Sequence, residues 1–218
     1  MAKDKDVVDH GSGSGAPALD FANTMDWHAS DHPTETLHGY GDLVEWSRRR
    51  GIISAHDAEM LVAAAAGRGE TGSAVMKEAA QLRESVYRLF SDAWHKRPAR
   101  EEDLKVLNAQ LSKGMSAARV AAEEGAFRWG WKCDERTPDV MLWPIARDAA
   151  EMLTSDRLAQ VKECANEAEG CGWLFLDTSR SGNRVWCSMD SCGNRAKFRA
   201  YYDRHKRGGG KSRSSKPS

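Results

Sequence analysis

No stretch of the 218-residue sequence approaches the ~20 consecutive apolar residues of a membrane-spanning helix. The first segment, MAKDKDVVDHGSGSGAP, is charged and then Gly/Ser-rich. It lacks the apolar centre of a secretory signal, and residues 1–17 are expected as a disordered leader. Both absences predict a cytoplasmic protein. Also missing are a Gly-rich phosphate loop, a nucleophile elbow and an HExxH motif, so the expectation is that the chain is not an enzyme. There is no internal repeat. Cysteine is scarce, with five residues, and in a reducing compartment such thiols favour metal ligation or burial over disulfides.

Net charge is lacking as well, with 32 Lys and Arg against 32 Asp and Glu, but the balance hides a split. From Thr178 to Ser218 there are eleven basic residues and two acidic ones; the remainder carries 21 basic and 30 acidic. An acidic body with a basic end suits a polyanionic partner, and a merely solvated tail is the other reading. Hydrophobic content of 40% and charged content of 29% are ordinary for a globular chain. Eight tryptophans are enough to anchor a core.

Periodicity divides the chain into an α+β body, 18–155, and a smaller module, 156–207, followed by a basic tail, 208–218. Ala18–Trp27 alternates apolar and polar and is expected as a short strand. Helices are expected over Tyr40–Trp46, with Asp42 as cap and Gly51 as stop, and over Ser54–Ala66, capped by Ser54. A longer helix follows from about Gly72 to Trp94, and a fourth spans Glu101–Lys113. Ala126–Cys133 places Phe127, Trp129 and Trp131 on one face, and with Val140–Trp143 it is expected to form a β-hairpin. Pro144 then fits the first turn of a helix continuing through Leu153. Leu158–Cys164 is too short to decide between a helical turn and an extended segment. Trp173–Leu176 reads as a strand, and 194–207 as a helix free of Gly and Pro. This gives a helical domain with a small antiparallel sheet, then a ββα-like finger.

Cys164, Cys171, Cys187 and Cys192 form two pairs, with six and four residues inside the pairs and fifteen between them. Zn2+ takes four tetrahedral thiolates, and a module of this size needs such a staple. Four independent buried thiols are the alternative that spacing leaves open. Cys133, far upstream on the expected hairpin, reads as a small core residue.

Cys192-Gly-Asn-Arg195, with Trp186-Cys-Ser-Met189 before it and Ala196-Lys197 after it, resembles the CGNR zinc finger. The resemblance extends back through Cys171-Gly-Trp-Leu-Phe-Leu-Asp-Thr-Ser. The upstream part, with Leu19-Asp-Phe-Ala-Asn-Thr, is similar to the ABATE domain. The resemblance implies a bacterial, stress-induced transcription regulator whose zinc is held by Cys164, Cys171, Cys187 and Cys192. The family's first pair is spaced more closely than the six residues seen here, so Cys164 is the ligand that departs from the pattern.

On the last helix, Arg195, Arg199, Tyr202 and Lys206 share a stripe at steps of four and three. Phe198, Tyr201 and His205 are assigned to packing on another side. Asn194, Arg195, Lys197, Arg199, Arg204 and Lys206, with Arg184 on the preceding turn, are the candidate DNA contacts, neutralising phosphate or pairing with guanine. Arg180 and the tail residues Lys211, Arg213 and Lys216 would add phosphate contacts. Arg195 has a second reading, as a structural partner of Asp177 or of finger carbonyls. Upstream, His28, His32 and His38 with Asp26 and Asp31 read as a polar surface loop, or as part of an effector pocket with Asp20, Asn23 and Trp27. The sequence thus predicts a Zn2+-dependent, nucleoid-associated DNA-binding regulator whose body binds an effector or forms a homodimer. A protein-interaction adaptor with structural zinc, and a small-molecule-binding or hydrolytic domain with an accessory finger, are the alternatives.

Overall fold

The computed structural model describes residues 15–66, 69–123, 125–132, 134 and 137–208. The leader through residue 14, Cys133 and the tail from residue 209 lie outside the described residues.

The chain opens with a helix, α1 (Pro17–Ala22), where a strand was expected. Within six residues, Leu19 and Phe21 flanking Asp20 fit either period. Pro17 at the first helical position settles it, because its fixed φ suits a helix start and its missing N–H costs nothing there. Ala18, Leu19, Phe21 and Ala22 are all buried. Two short strands, β1 (Met25–Asp26) and β2 (Thr34–Glu35), pair beyond it. Buried Arg83 pins this loop, reaching both Glu35 carboxylate oxygens at 2.7 and 2.6 Å and Thr24 Oγ1 at 3.3 Å.

Next come α2 (Tyr40–Arg49) and α3 (Ala55–Ala65). Gly39 occupies the N-cap of α2, and Asp42 accepts from the His38 N–H one step further out. Ser54 and Asp57 make the reciprocal capping box that starts α3. The 26-residue α4 (Gly69–Trp94) is the spine, burying Leu82, Val86, Leu89 and Phe90. Then come α5 (Glu101–Ala117) and α6 (Leu142–Leu153). Helices α1, α4, α5 and α6 pack on one another around the main core, to which Ile145, Ala149 and Met152 contribute. Burial of these large side chains is the principal stabilising term.

The expected hairpin exists, but with a different partner. β4 (Ala126–Trp131) pairs antiparallel with β3 (Ala118–Glu123), setting Val120 opposite Trp129. Gly125, at φ +82°, makes the turn. The Ala-rich 118–122 segment carries little strand signal, whereas Val140 and Met141 instead form the turn into α6, with Pro144 in its first turn.

The segment left open at 158–164 is both things in succession: a 3-10 turn (Asp156–Gln160) and a strand, β5 (Val161–Glu163). β5 pairs antiparallel with β6 (Leu174–Leu176). A π turn (Met189–Gly193) leads into α7 (Asn194–Gly208), which completes a ββα-like module within an α+β chain. That module does not stand apart. Val161, Leu174 and Leu176 belong to the same core as α1 and α4. Asn23, just past α1, donates to the Leu174 carbonyl at 2.8 Å and accepts from its N–H at 3.0 Å, acting as one more strand residue along β6.

Candidate metal centre and the helix it anchors

Four loops deliver the four cysteines. Cys164 follows β5, Cys171 precedes β6, Cys187 follows the Gly182 turn, and Cys192 sits in the π turn. All four are buried, and their sulfurs lie within 4.8 Å of one another. Cys171 and Cys187 Sγ are 3.8 Å apart, and Cys187 and Cys192 Sγ 3.6 Å. These are non-bonded separations, and they match the edge of about 3.8 Å that a sulfur tetrahedron has around Zn2+ at Zn–S near 2.3 Å. Cys164, despite its wider spacing, is a full member of the cluster.

Sulfur crowding accounts for the electrostatics. Hydrogen bonds from Cys171 and Cys187 lower the Cys164 thiol to about 7. The Cys171 and Cys187 thiols are pushed far up, first by hydrogen bonding with Cys164. Neighbouring thiolates repel, so the set ionises together only around a cation. The chain also orients its ligands. The Cys187 N–H points at Cys164 Sγ at 3.4 Å, and the Asn166 amide donates to Cys192 Sγ at the same distance. Gly193 leaves room for Met189 and Trp186: an added Cβ would lie 2.8 Å from Met189 Sδ and 3.2 Å from the Trp186 ring, so the half-exposed Met189 side chain would have to move aside. Phe175, Trp27, Trp173 and Trp186 close the centre from water.

Arg184 stays exposed but folds back onto its own turn. Its Nε donates to the Trp186 carbonyl at 2.9 Å, its Nη2 donates to the Cys187 carbonyl, and the guanidinium stacks 4.5 Å above Phe175. Asp177, a candidate partner for Arg195, is taken by Lys162 at 2.6 Å, by Ser179 and by the Arg184 N–H. The Lys162 ammonium, with Ser179, holds its carboxyl below the usual carboxylate range. Arg195 instead meets Glu169 at 3.2 Å and lies 4.8 Å over the Trp27 ring, and Arg199 bonds the other Glu169 oxygen. Glu169 and Asn166 were not singled out from sequence. Their only signal is their place in the loop between the first two cysteines.

Past its first turns α7 leaves the body. Among its described side chains, 194–206, none is buried. Phe198, Tyr201 and Tyr202 are 66%, 51% and 68% exposed, which corrects the packing role expected of Phe198, Tyr201 and His205. Tyr201 and His205 touch each other, 3.9 Å between ring centroids, and no core. Lys197, Arg204 and Lys206 make no ion pair among the described residues, while the Asn194 amide donates to the Asp190 carbonyl at 3.3 Å.

Three of the four residues grouped as an upstream pocket, Asp20, Asn23 and His28, have partners of their own. Asp20 faces Arg50 at 3.5 Å, Asn23 joins β6, and His28 stacks on Tyr87 with its Nε2 3.0 Å from Glu84. Trp27 lines an open cleft with Asp26, Ala29 and Ser30. No described helix is long and apolar enough to cross a membrane.

Residues 160–205 match the CGNR zinc finger model, in keeping with the sulfur geometry and a Zn2+ cofactor. Comparison with curated proteins finds no match. Neither matched model describes an enzyme family. Residues 15–156 match ABATE, described as a putative stress-induced transcription regulator, and the chain belongs to that family.

Proposed function

We propose that the protein is a zinc-dependent DNA-binding transcription regulator of the bacterial cytoplasm and nucleoid. α7 contacts DNA, and the upstream domain binds an effector or pairs two copies. The observation that carries this reading is a cationic helix rooted beside the metal ligand Cys192 and otherwise uncovered. Zinc would contribute structure alone, because four thiolates leave no open coordination position.

Glu169 favours a division of labour among the helix cations. Arg195 and Arg199 are drawn towards the body, so the groove-facing side is the stripe of Lys197, Tyr201 and Arg204. Lys and Arg there neutralise phosphate, and Tyr201 lies between them. DNA selection followed by salt titration tests this. Lys197→Ala with Arg204→Ala should weaken binding and flatten the log–log salt slope by about two. If a zinc-loaded double variant binds the selected DNA as well as the parent does, the reading fails. The three exposed aromatics of α7 favour a second reading, an adaptor helix meeting an acidic protein. That complex would form without DNA.

A further inference from the structure

A cleft of about 920 Å³ opens between the β1–β2 loop and the segment from Glu167 to Gly170. Its size is that of a small-molecule site. Asp26, Asp31, Glu167 and Glu169 give it negative charge, Trp27 supplies an aromatic wall, and Arg195 closes one side. Trp27 sits at φ +54°, a left-handed conformation that a bulky residue adopts only when its surroundings impose it. The carboxylates do not converge: among the described residues only the four cysteines cluster as metal ligands. The cleft is therefore unsuited to a single divalent ion and suited to a larger, organic cation.

Arg195 shows what chemistry the cleft accepts. Its guanidinium lies on the Trp27 face while bonding Glu169, an indole wall plus a carboxylate being the usual recognition of an organic cation. We propose that the cleft is a binding site for a guanidinium- or polyamine-type molecule, whose charged head displaces the Arg195 side chain from between Trp27 and Glu169. Asp31 and Glu167, which make no ion pair among the described residues, receive the distal charge. This gives a chemical class to the effector role proposed above. The same displacement frees the Arg195 cation at the start of α7, which Cys192 and the Arg199–Glu169 pair still hold in place, and only the use of that freed cation depends on DNA being the partner of α7.

Calorimetric titration of the zinc-loaded full chain, without DNA, with agmatine and with spermidine tests the site. Saturable binding of at least one probe is expected. Arg195→Ala should tighten it by about tenfold, because the occupied fraction of the site no longer subtracts from affinity. Asp31→Asn with Glu167→Gln, both outside the core, should weaken it by a similar factor. The proposal is overturned if neither probe binds the parent or Arg195→Ala. It is equally overturned if Arg195→Ala fails to tighten binding, or if the Asp31/Glu167 variant binds as the parent does. DNA binding can survive each of those results, so the two readings fail separately.

Discussion

Between Pro17 and Leu153 the chain buries Phe21, Leu82, Phe90, Ile145 and Met152 in a continuous apolar core. From Cys164 onward it buries four sulfurs around Phe175, and lends Leu174 and Leu176 to the first core. The first region is held by area removed from water, the second by convergence of a few polar and metal-binding groups. The difference shows in how errors would propagate. A helical core loses stability in proportion to the atoms removed, whereas a thiolate centre missing one ligand loses its organising principle.

The sharpest way to break this comparison is to remove the metal. Chelation should cost the finger about 10 kcal/mol and abolish amide protection over 177–208 while α4 keeps its own. Hydrogen exchange read by mass spectrometry checks this, and equal loss in α4 would mean that the two regions form one cooperative unit. Asn23→Ala asks how firmly they are joined. Leaving both Leu174 backbone groups without their partner should cost about 1–3 kcal/mol, and the finger should then yield to chelator faster than in the parent. The smallest effect belongs to Asp177. Its carboxyl titrates lower in the folded state than in the unfolded chain, through Lys162, Ser179 and the Arg184 N–H. Its contribution is therefore present above the ordinary value near ~4 and fades as pH falls through the depressed one. Urea midpoints of the parent and Asp177→Asn should differ at neutral pH and converge in acid.

The two regions were not equally readable. Ligand chemistry demands sulfur pairs on local loops, so the cysteine set is visible in spacing, and the 3.6-residue period of α4 is visible in Leu82, Val86 and Leu89. Short segments fail. Leu19-Asp-Phe fits two periods, and the alternation around Trp129 announces a strand without naming Val120 as its neighbour. Long-range polar partnerships are silent. Nothing near Asn23 in sequence indicates Leu174, 151 residues away, and Glu169 meets Arg199 across 30 residues. The exposure of Phe198 and Tyr201 was illegible for the opposite reason, since an aromatic stripe on a helix ordinarily marks a core.

The seam at β6 has a consequence for how such a protein can be dissected or inherited. A fragment beginning after residue 156 would carry its metal yet present Val161, Leu174 and Leu176 as a bare oily edge. The shortened body would in turn keep an amide at Asn23 with no strand to grip. Neither half is a self-sufficient cassette, so exchanging fingers between relatives requires exchanging the surface of α1 with them.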